Sequence, residues 1–378
     1  MLKEVITIKK ILFGITSLTL GGAERVLVDI SNKLSEKYDI TIFSIYDNGE
    51  LKNDLNKNVK FKALYNCRYD ELTKLQKMWI PIKILLFSKI IYNKKIKQNY
   101  DTEIAFLEGP ITRLFSTKNK DVHKIAWIHN DIEKVFGNDL KSKIKKYIDK
   151  KIYKKYNDLV FVSQDNMEKF QNIYNDLNTE NMHVIYNYID KDLVIKKSNY
   201  NIKVEFDYNS INFLTVCRLV KQKAIDRFIR VHSKLIKQGL KHKVYIIGDG
   251  PEKENLQKLI KQENVEDTFI LLGKKENPYP YIKNANYFCL LSEFEGYGMV
   301  LEEAKILNKP IIITNTAARE CIENYPKALI LENSEDEIYD GLYKLLNDND
   351  DKIFNNTQTS TEYDDTEKLQ KIIELVGD

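Results

Sequence analysis

The densest chemistry in this 378-residue sequence lies between Ser292 and Ala304, SEFEGYGMVLEEA. Gly296 and Gly298 separate Glu295 from Glu303 and open a helix behind an apolar run. A glycine loop lets backbone come close to a ligand, and the helix behind it directs free N–H groups and a partial positive charge at an anion. Glu295, at the loop mouth, can accept hydrogen bonds from sugar hydroxyls, and Glu303, inside the helix, is placed to grip ribose hydroxyls. A glycine-containing strand–helix turn with solvated acids would read the same way. The second segment is CRLVKQKAID, Cys217 to Asp226, in which Arg218 and Lys223 follow an apolar run. Two cations beside a helix start form a diphosphate clamp; surface basic residues are the plainer reading. The third is IIGDGPEKENL, Ile246 to Leu256, where Gly248 and Gly250 permit a tight turn beside a ligand and Pro251 suits the first helical position.

The elements that must carry these segments alternate along the chain. Apolar β-branched runs predict strands at Ile11–Ile15, Ile40–Tyr46, Glu103–Leu107, Lys124–Ile128, Leu159–Val162 and His183–Tyr186. Val26, Leu27, Ile30 and Leu34 recur at helical spacing and predict a helix over Gly22–Ser35. A second series predicts strands at Asn212–Val216, Lys243–Ile247, Phe269–Leu272, Tyr287–Leu291 and Pro310–Thr314. Its helices are expected at Ile225–Gln238, Pro251–Gln262, Tyr279–Asn284 and Val300–Leu307. Strand–helix alternation implies parallel sheets covered by helices. The expected fold is therefore α/β, with two facing Rossmann-like doubly wound domains. The expected division is 1–190, 191–350 and a helical tail at 351–378, with a return of that tail to the N-terminal domain as one expectation. The polar stretch Asp190–Asn209 is the expected junction, Asn347–Asp351 and Asn355–Thr361 are expected loops, and Glu367–Val376 is the expected last helix.

In this order and spacing, CRLVKQKA, GDGP and EGYGMVLEE resemble the C-terminal half of the retaining glycosyltransferases of family 4, which have the GT-B fold. That family shows a G-R-L-x-x-x-K-G segment, a G-x-G-P turn and two glutamates around E-G-F-G. The resemblance covers Val160 to Leu331 and, at the N-terminus, GGAERVL with Gly21 and Gly22. It implies that Arg218 and Lys223 bind the donor diphosphate. The backbone of Gly296, Tyr297, Gly298, Met299 and Val300 would approach the phosphates. It also implies that Glu303 holds the ribose, that Glu295 contacts the transferred sugar, and that Lys274 and Lys275 follow the strand bordering the base. His129, in IAWIHND, matches a histidine that faces the donor sugar; a satisfied structural histidine is the competing reading. Cys217 and Ala224 stand where the family has glycines, and TNTAARECI, Thr314–Ile322, replaces a more glycine-rich stretch. The implied enzyme moves a hexose or N-acetylhexosamine, with UDP as the expected carrier, to a growing surface glycan of the capsule or lipopolysaccharide kind. It would retain anomeric configuration, need no metal or other cofactor, and have a glycan or lipid-linked glycan as acceptor. A UDP-sugar epimerase or sugar-phosphate synthase of the same fold, or an inactive scaffold subunit, are the alternatives.

Composition narrows the field. Residues 1–190 carry a net charge of +8 and residues 191–378 a net charge of −4, so a basic half suits anionic partners. The four cysteines form no CxxC pair, which argues against a zinc ribbon or a disulfide scaffold and for a reduced, cytoplasmic setting. GGAERV and GDGPEK both fail the dinucleotide pattern G-x-G-x-x-G. No base-reading module points to nucleic acid. Asp190-Lys191-Asp192 is a DxD triplet but stands outside a suitable strand pattern, and Asp348-Asn349-Asp350 reads as a polar turn. Lys9-Lys10 with ILFGITSLTL has signal-peptide features, but a strand, glycine loop and helix explain it better. Pro81, Lys83 and Lys89 break Trp79–Tyr92 as a membrane span. That segment, and Lys141–Tyr156 with eight lysines in 16 residues, can instead be amphipathic helices on an anionic membrane surface. Ordinary core-packed helices with solvated lysines are the other reading for both.

Overall fold

The computed structural model describes residues 8–377 except 20, 48, 70, 97–99, 118–120, 130–139, 348–353 and 355–364. The loops expected at Asn347–Asp351 and Asn355–Thr361 and the Asp348–Asp350 turn thus lie outside the described residues, apart from Asn347. The chain divides into two compact units, Met1–Ile189 with Asp365–Asp378, and Asp190–Asp364.

The first unit is a seven-stranded, wholly parallel sheet in the order β3-β2-β1-β4-β5-β6-β7. Its strands are β1 Lys10–Ile15, β2 Asp39–Tyr46, β3 Lys60–Tyr65, β4 Thr102–Ala105, β5 His123–Ile128, β6 Asp158–Phe161 and β7 Met182–Val184. The central strands are buried on both faces, which is why they read as unbroken apolar runs. Helices α1 Gly22–Leu34, α2 Lys74–Lys95, α3 Pro110–Phe115, α4 Leu140–Tyr153 and α5 Gln164–Ile173 cover the sheet. At Gly14 of β1 a Cβ would meet the side chains of Phe115 and Ile111 at 2.5–2.7 Å, so only glycine lets α3 lie this close. Register places Glu103 beside Lys124 on β4 and β5. There the ammonium meets Glu103 Oε2 at 2.6 Å and the Phe115 carbonyl at 2.8 Å, while Tyr92 of α2 donates to the other carboxylate oxygen. Burial pulls the Lys124 pKa down and the Glu103 charge opposes that pull.

The second unit is a six-stranded parallel sheet in the order β10-β9-β8-β11-β12-β13. Its strands are β8 Ile211–Val216, β9 His242–Ile247, β10 Phe269–Gly273, β11 Tyr287–Leu290, β12 Ile311–Thr314 and β13 Ala328–Leu331. Helices α6 Lys191–Ser198, α7 Ile225–Lys237, α8 Lys253–Glu263, α9 Tyr279–Asn284, α10 Met299–Ile306, α11 Arg319–Ile322 and α12 Glu335–Asn347 complete it. The terminal helix α13, Thr366–Gly377, belongs to the first unit. Ile372 and Val376 are fully buried there, and Lys9 and Thr102 donate to the carbonyls of Gly377 and Val376.

Two strands escape the periodicity. β3 (KFKALY) alternates lysine with apolar residues, and β13 (ALIL) is four residues long; both are edge strands, where burial on both faces is not required. The Asp190–Asn209 stretch is not irregular throughout: α6 runs through it, and Asp190 caps that helix by accepting from Leu193 N–H at 2.9 Å. The triplet's first carboxylate is therefore used locally. Pro251 does not open its helix; it sits in a turn, and α8 begins at Lys253.

A buried histidine relay joins α7 to β9. His242 Nδ1 donates to the Leu240 carbonyl at 2.9 Å, which leaves Nε2 to accept from His232 Nδ1 at 2.8 Å. His232 Nε2 lies 2.8 Å from the Thr268 hydroxyl, which also reaches the Val265 carbonyl at 3.3 Å. Burial pushes His232 down to about 2, with His242 beside it adding to the shift, and His242 down to about 4. Below the unfolded value of ~6.5 the unfolded chain binds protons that the native state refuses, so stability falls as pH drops. Melting temperature should decline steadily from about pH 6.5 toward pH 4, and His242→Gln should flatten that slope. An unchanged slope in the variant would show that the relay does not set the acid limit.

Candidate functional site

In the second unit the chain runs outward from β8 to β9 and β10, then returns to place β11 beside β8. The crossovers that follow β8 and β11 therefore run to opposite sides, and the carboxyl ends of two such strands are where open parallel sheets bind ligands. The segments singled out above sit on these loops: Cys217–Ala224 follows β8, Gly248–Glu252 follows β9 and Leu291–Gly298 follows β11.

Backbone contact binds the first two loops together. Cys217 N–H donates to Ile247 O, Leu219 N–H to Asp249 O and Glu252 N–H to Leu219 O, at 3.0–3.1 Å. A Cβ on Gly248 (φ +149°) would stand 1.8 Å from the Cys217 carbonyl oxygen, and one on Gly250 would stand 2.3 Å from that of Leu219. The β8 loop is tied equally to the β11 loop. Gln222 accepts from Glu293 N–H through its backbone and donates through its side chain to Phe294 O, both at 2.9 Å. Ala224 ends this loop at φ +47°, ψ +37°, a left-handed conformation natural to glycine and adverse to alanine.

The charged side chains have definite partners. Lys223 Nζ is ion-paired with Glu295 Oε1, and Ser292 Oγ donates to the same oxygen at 2.6 Å. Glu295 is buried and Lys223 half-buried. Arg218 stands exposed at the rim. Gly298 (φ +78°) precedes α10, whose first turn is Met299–Val300, so the backbone of Gly296–Val300 lies at the N-terminus of that helix. Glu303 is buried on α10 and accepts from Tyr279 Oη, on α9, at 3.1 Å. Tyr297 turns inward to Glu302, which Lys305 also approaches at 3.3 Å. Lys274 is exposed, whereas Lys275 is held by Glu205 at 3.0 Å and lies over the Tyr281 ring. Burial pushes the Cys217 thiol up to about 12, so it stays protonated and is no nucleophile. Tyr279, Ser292 and Gln222 were missed by sequence reasoning; Ser292 alone carried a signal, its place at the start of the glycine segment.

The remaining candidates lie in the first unit. Gly21 is the N-cap of α1 and Gly22 its first residue, at the β1 end of that sheet's own reversal between β1 and β4. His129 follows β5; its N–H donates to Glu108 Oε1 at 2.7 Å and its ring packs on Phe106 at 4.7 Å. Its Nε2 is shut off from solvent without a partner among the described residues, and burial lowers its pKa to about 3, so the imidazole is neutral. Among the described residues no three His, Cys, Asp or Glu side chains converge as a metal site.

The backbone geometry makes a direct prediction. Ala→Gly in ordinary structure costs ~0.5–1 kcal/mol, but at Ala224 it relieves a left-handed alanine worth ~1–2 kcal/mol. Ala224→Gly should therefore hold or raise the melting temperature, while Gly248→Ala should lower it by several degrees. Thermal denaturation of the two variants checks this, and a marked loss in Ala224→Gly would contradict it.

Comparison with known proteins agrees with this geometry. Residues 196–360 match the family model Glycosyl transferases group 1. The chain is 28% identical over 342 residues to the Campylobacter jejuni N-acetylgalactosamine-N,N'-diacetylbacillosaminyl-diphospho-undecaprenol 4-alpha-N-acetylgalactosaminyltransferase, covering 88% of this chain and 89% of that one. It is 24% identical to the Escherichia coli O-antigen biosynthesis glycosyltransferase WclY, with coverages of 81% and 80%. The crystal structure of Anabaena HepE in complex with UDP and glucose superposes with a TM-score of 0.73 at 16% identity, covering 98% and 99% of the two chains. The family match, these relatives and the shared architecture together make this chain a glycosyltransferase with the GT-B fold, bearing a glycosyl transferases group 1 domain at residues 196–360.

Proposed function

We propose that the enzyme moves a hexose or N-acetylhexosamine from a UDP-sugar to a growing, lipid-linked surface glycan, with retention of anomeric configuration. The observation that carries this reading lies at the carboxyl ends of β8 and β11, where Arg218, Lys223, Glu295 and the N-terminus of α10 sit on loops locked to one another. UDP is supported by the HepE complex, which holds UDP and glucose. The lipid-linked acceptor is supported by the C. jejuni relative, whose name specifies a diphospho-undecaprenol-linked substrate, and the surface-glycan setting by WclY. We assign the reaction to the cytoplasmic side, with any membrane contact peripheral.

Arg218 and Lys223 are assigned to the donor diphosphate. An ammonium has three donors, so Glu295 can orient Lys223 through one while others meet phosphate. The N–H groups of Gly296–Val300 add a fixed positive end. A nucleoside diphosphate is already a good leaving group, so the chemistry asked of the protein is to stabilise charge on the departing phosphate. Preorganised cations and a helix N-terminus do this without reorganising at the moment of reaction, and we assign no metal or other cofactor to the step. Glu303, steadied by Tyr279, is assigned to the ribose, and Glu295 to the transferred sugar. Lys274 and Lys275, which follow β10, are assigned to the edge of the base, with Lys275 held in place by Glu205. The contact with the sugar that the family resemblance gives His129 would come from a neutral imidazole, one that offers a hydrogen bond rather than a net charge.

Three measurements test this. Thermal shift and calorimetry with EDTA present should show binding of UDP in preference to GDP and ADP, and UDP-sugar turnover should survive the chelator; loss of activity in EDTA would overturn the metal-free assignment. Arg218→Ala and Lys223→Ala should each weaken UDP binding by about tenfold or more, the scale of a lost charge-assisted contact, and wild-type affinity in both would remove the clamp. Glu303→Ala should weaken UDP binding similarly, whereas Glu295→Gln should leave it within about threefold and lower turnover by about a hundredfold. The reverse pattern would exchange the two glutamates' roles.

A further inference from the structure

Helix α2 is apolar on two faces. Its inner face, with Ile80, Ile84 and Tyr92, is buried in the core of the first unit. Leu75, Trp79, Ile82 and Leu86 follow one another at steps of three and four residues, with Met78 three after Leu75 and four before Ile82, so the five form a stripe along the helix. They are 39–68% exposed. Beyond the break at Phe87, Ile90 continues the exposed series. The helix is deliberately started, by a Thr73–Gln76 capping box, so the stripe belongs to a built element rather than a frayed one. Across its 22 residues it carries six lysines and no acidic residue, and Lys74, Lys83, Lys89, Lys94 and Lys95 are exposed. Helix α4 repeats the pattern: Leu140, Ile144 and Tyr147 are exposed, among Lys143, Lys145 and Lys151. Both helices pack against α3 and so cover the same side of the sheet.

We propose that α2, supported by α4, is the element by which this enzyme docks on an anionic lipid bilayer. The stripe enters the boundary between headgroups and acyl chains, and the lysines beside it meet anionic headgroups. Charge decides for this occupant. A second copy of the chain would set one lysine-only helix against another, and the like charges would oppose the contact that the apolar residues favour. A bilayer supplies apolar depth and opposite charge together. Pro81 and the lysines keep the helix from spanning, and among the described residues no helix is long and apolar enough to cross. Trp79 stands on the exposed stripe, where an indole suits the interface. The inference extends the reading of a lipid-linked acceptor but is tested without donor or acceptor, so either can fail while the other stands.

The test is flotation of the full-length protein with vesicles of phosphatidylcholine alone or with about one-third phosphatidylglycerol. Binding should be about tenfold tighter to the anionic vesicles and should weaken with salt. Trp79 emission should shift to the blue and be quenched by brominated acyl chains, whereas buried Trp127 should respond little. The triple variant Leu75→Glu/Trp79→Glu/Leu86→Glu should lose binding by about tenfold or more with an unchanged melting temperature, because all three side chains are exposed. A second variant, Lys83→Gln/Lys89→Gln/Lys94→Gln, should lose the preference for anionic lipid while keeping the fold. No flotation of the wild-type protein, or undiminished flotation of the triple variant, would overturn the proposal. So would a wild-type dimer in size exclusion that the triple variant converts to monomer, since that would make a second copy the occupant.

Discussion

The return of the chain to place β11 beside β8 is the constraint on which the second unit of this enzyme depends. Parallel strands must be joined by crossovers, and a sheet that grows first to one side and then to the other has one place where the crossovers of neighbouring strands run to opposite sides. Arg218, Lys223, Glu295 and the N-terminus of α10 are all delivered to that place by strand ends. The glycines of the β9 loop matter for the same reason. They let the β8 and β9 loops share hydrogen bonds at backbone distance, so the floor beneath the cations is main chain locked to main chain.

Two lysine–glutamate pairs, one in each unit, show how burial assigns different tasks to the same chemistry. Lys124 and Glu103 are enclosed, satisfied by Tyr92 and the Phe115 carbonyl, and fasten α2 and α3 to the sheet. Lys223 and Glu295 are joined as closely, but Lys223 keeps a route to solvent. The first pair has no remaining capacity to offer a ligand. The second is held in position and keeps capacity for a further contact, which is the preorganisation that the proposed diphosphate leaving group would require. Lys275 is a third case, half-buried, held by Glu205 and lying over the Tyr281 ring.

Surface chemistry divides between the units as the charge does. The basic first unit presents apolar stripes set among lysines on α2 and α4. The second unit contains the residues that match the group 1 family model. On the function proposed above, holding an acceptor at a lipid surface and holding a charged, water-soluble donor are opposite physical demands, and a two-unit chain would let each be met by its own composition.

The sequence alone determined the parallel α/β architecture, because doubly buried strands must be continuous apolar runs and covering helices must be amphipathic. It also determined the donor segments, because few residue types can form tight glycine turns, present two cations after a strand, or start a helix behind a glycine. β3 and β13 stayed hidden because edge strands escape the burial that makes strands legible. Side-chain partnership was decided only by tertiary structure: Glu295 is 72 residues from Lys223, and Tyr279 is 24 from Glu303. The same holds for α2. Its residues are apolar on two faces, and only the packing of the sheet settles which face is core and which is left to face outward, since a local pattern records what a helix can bury but not what stands opposite it.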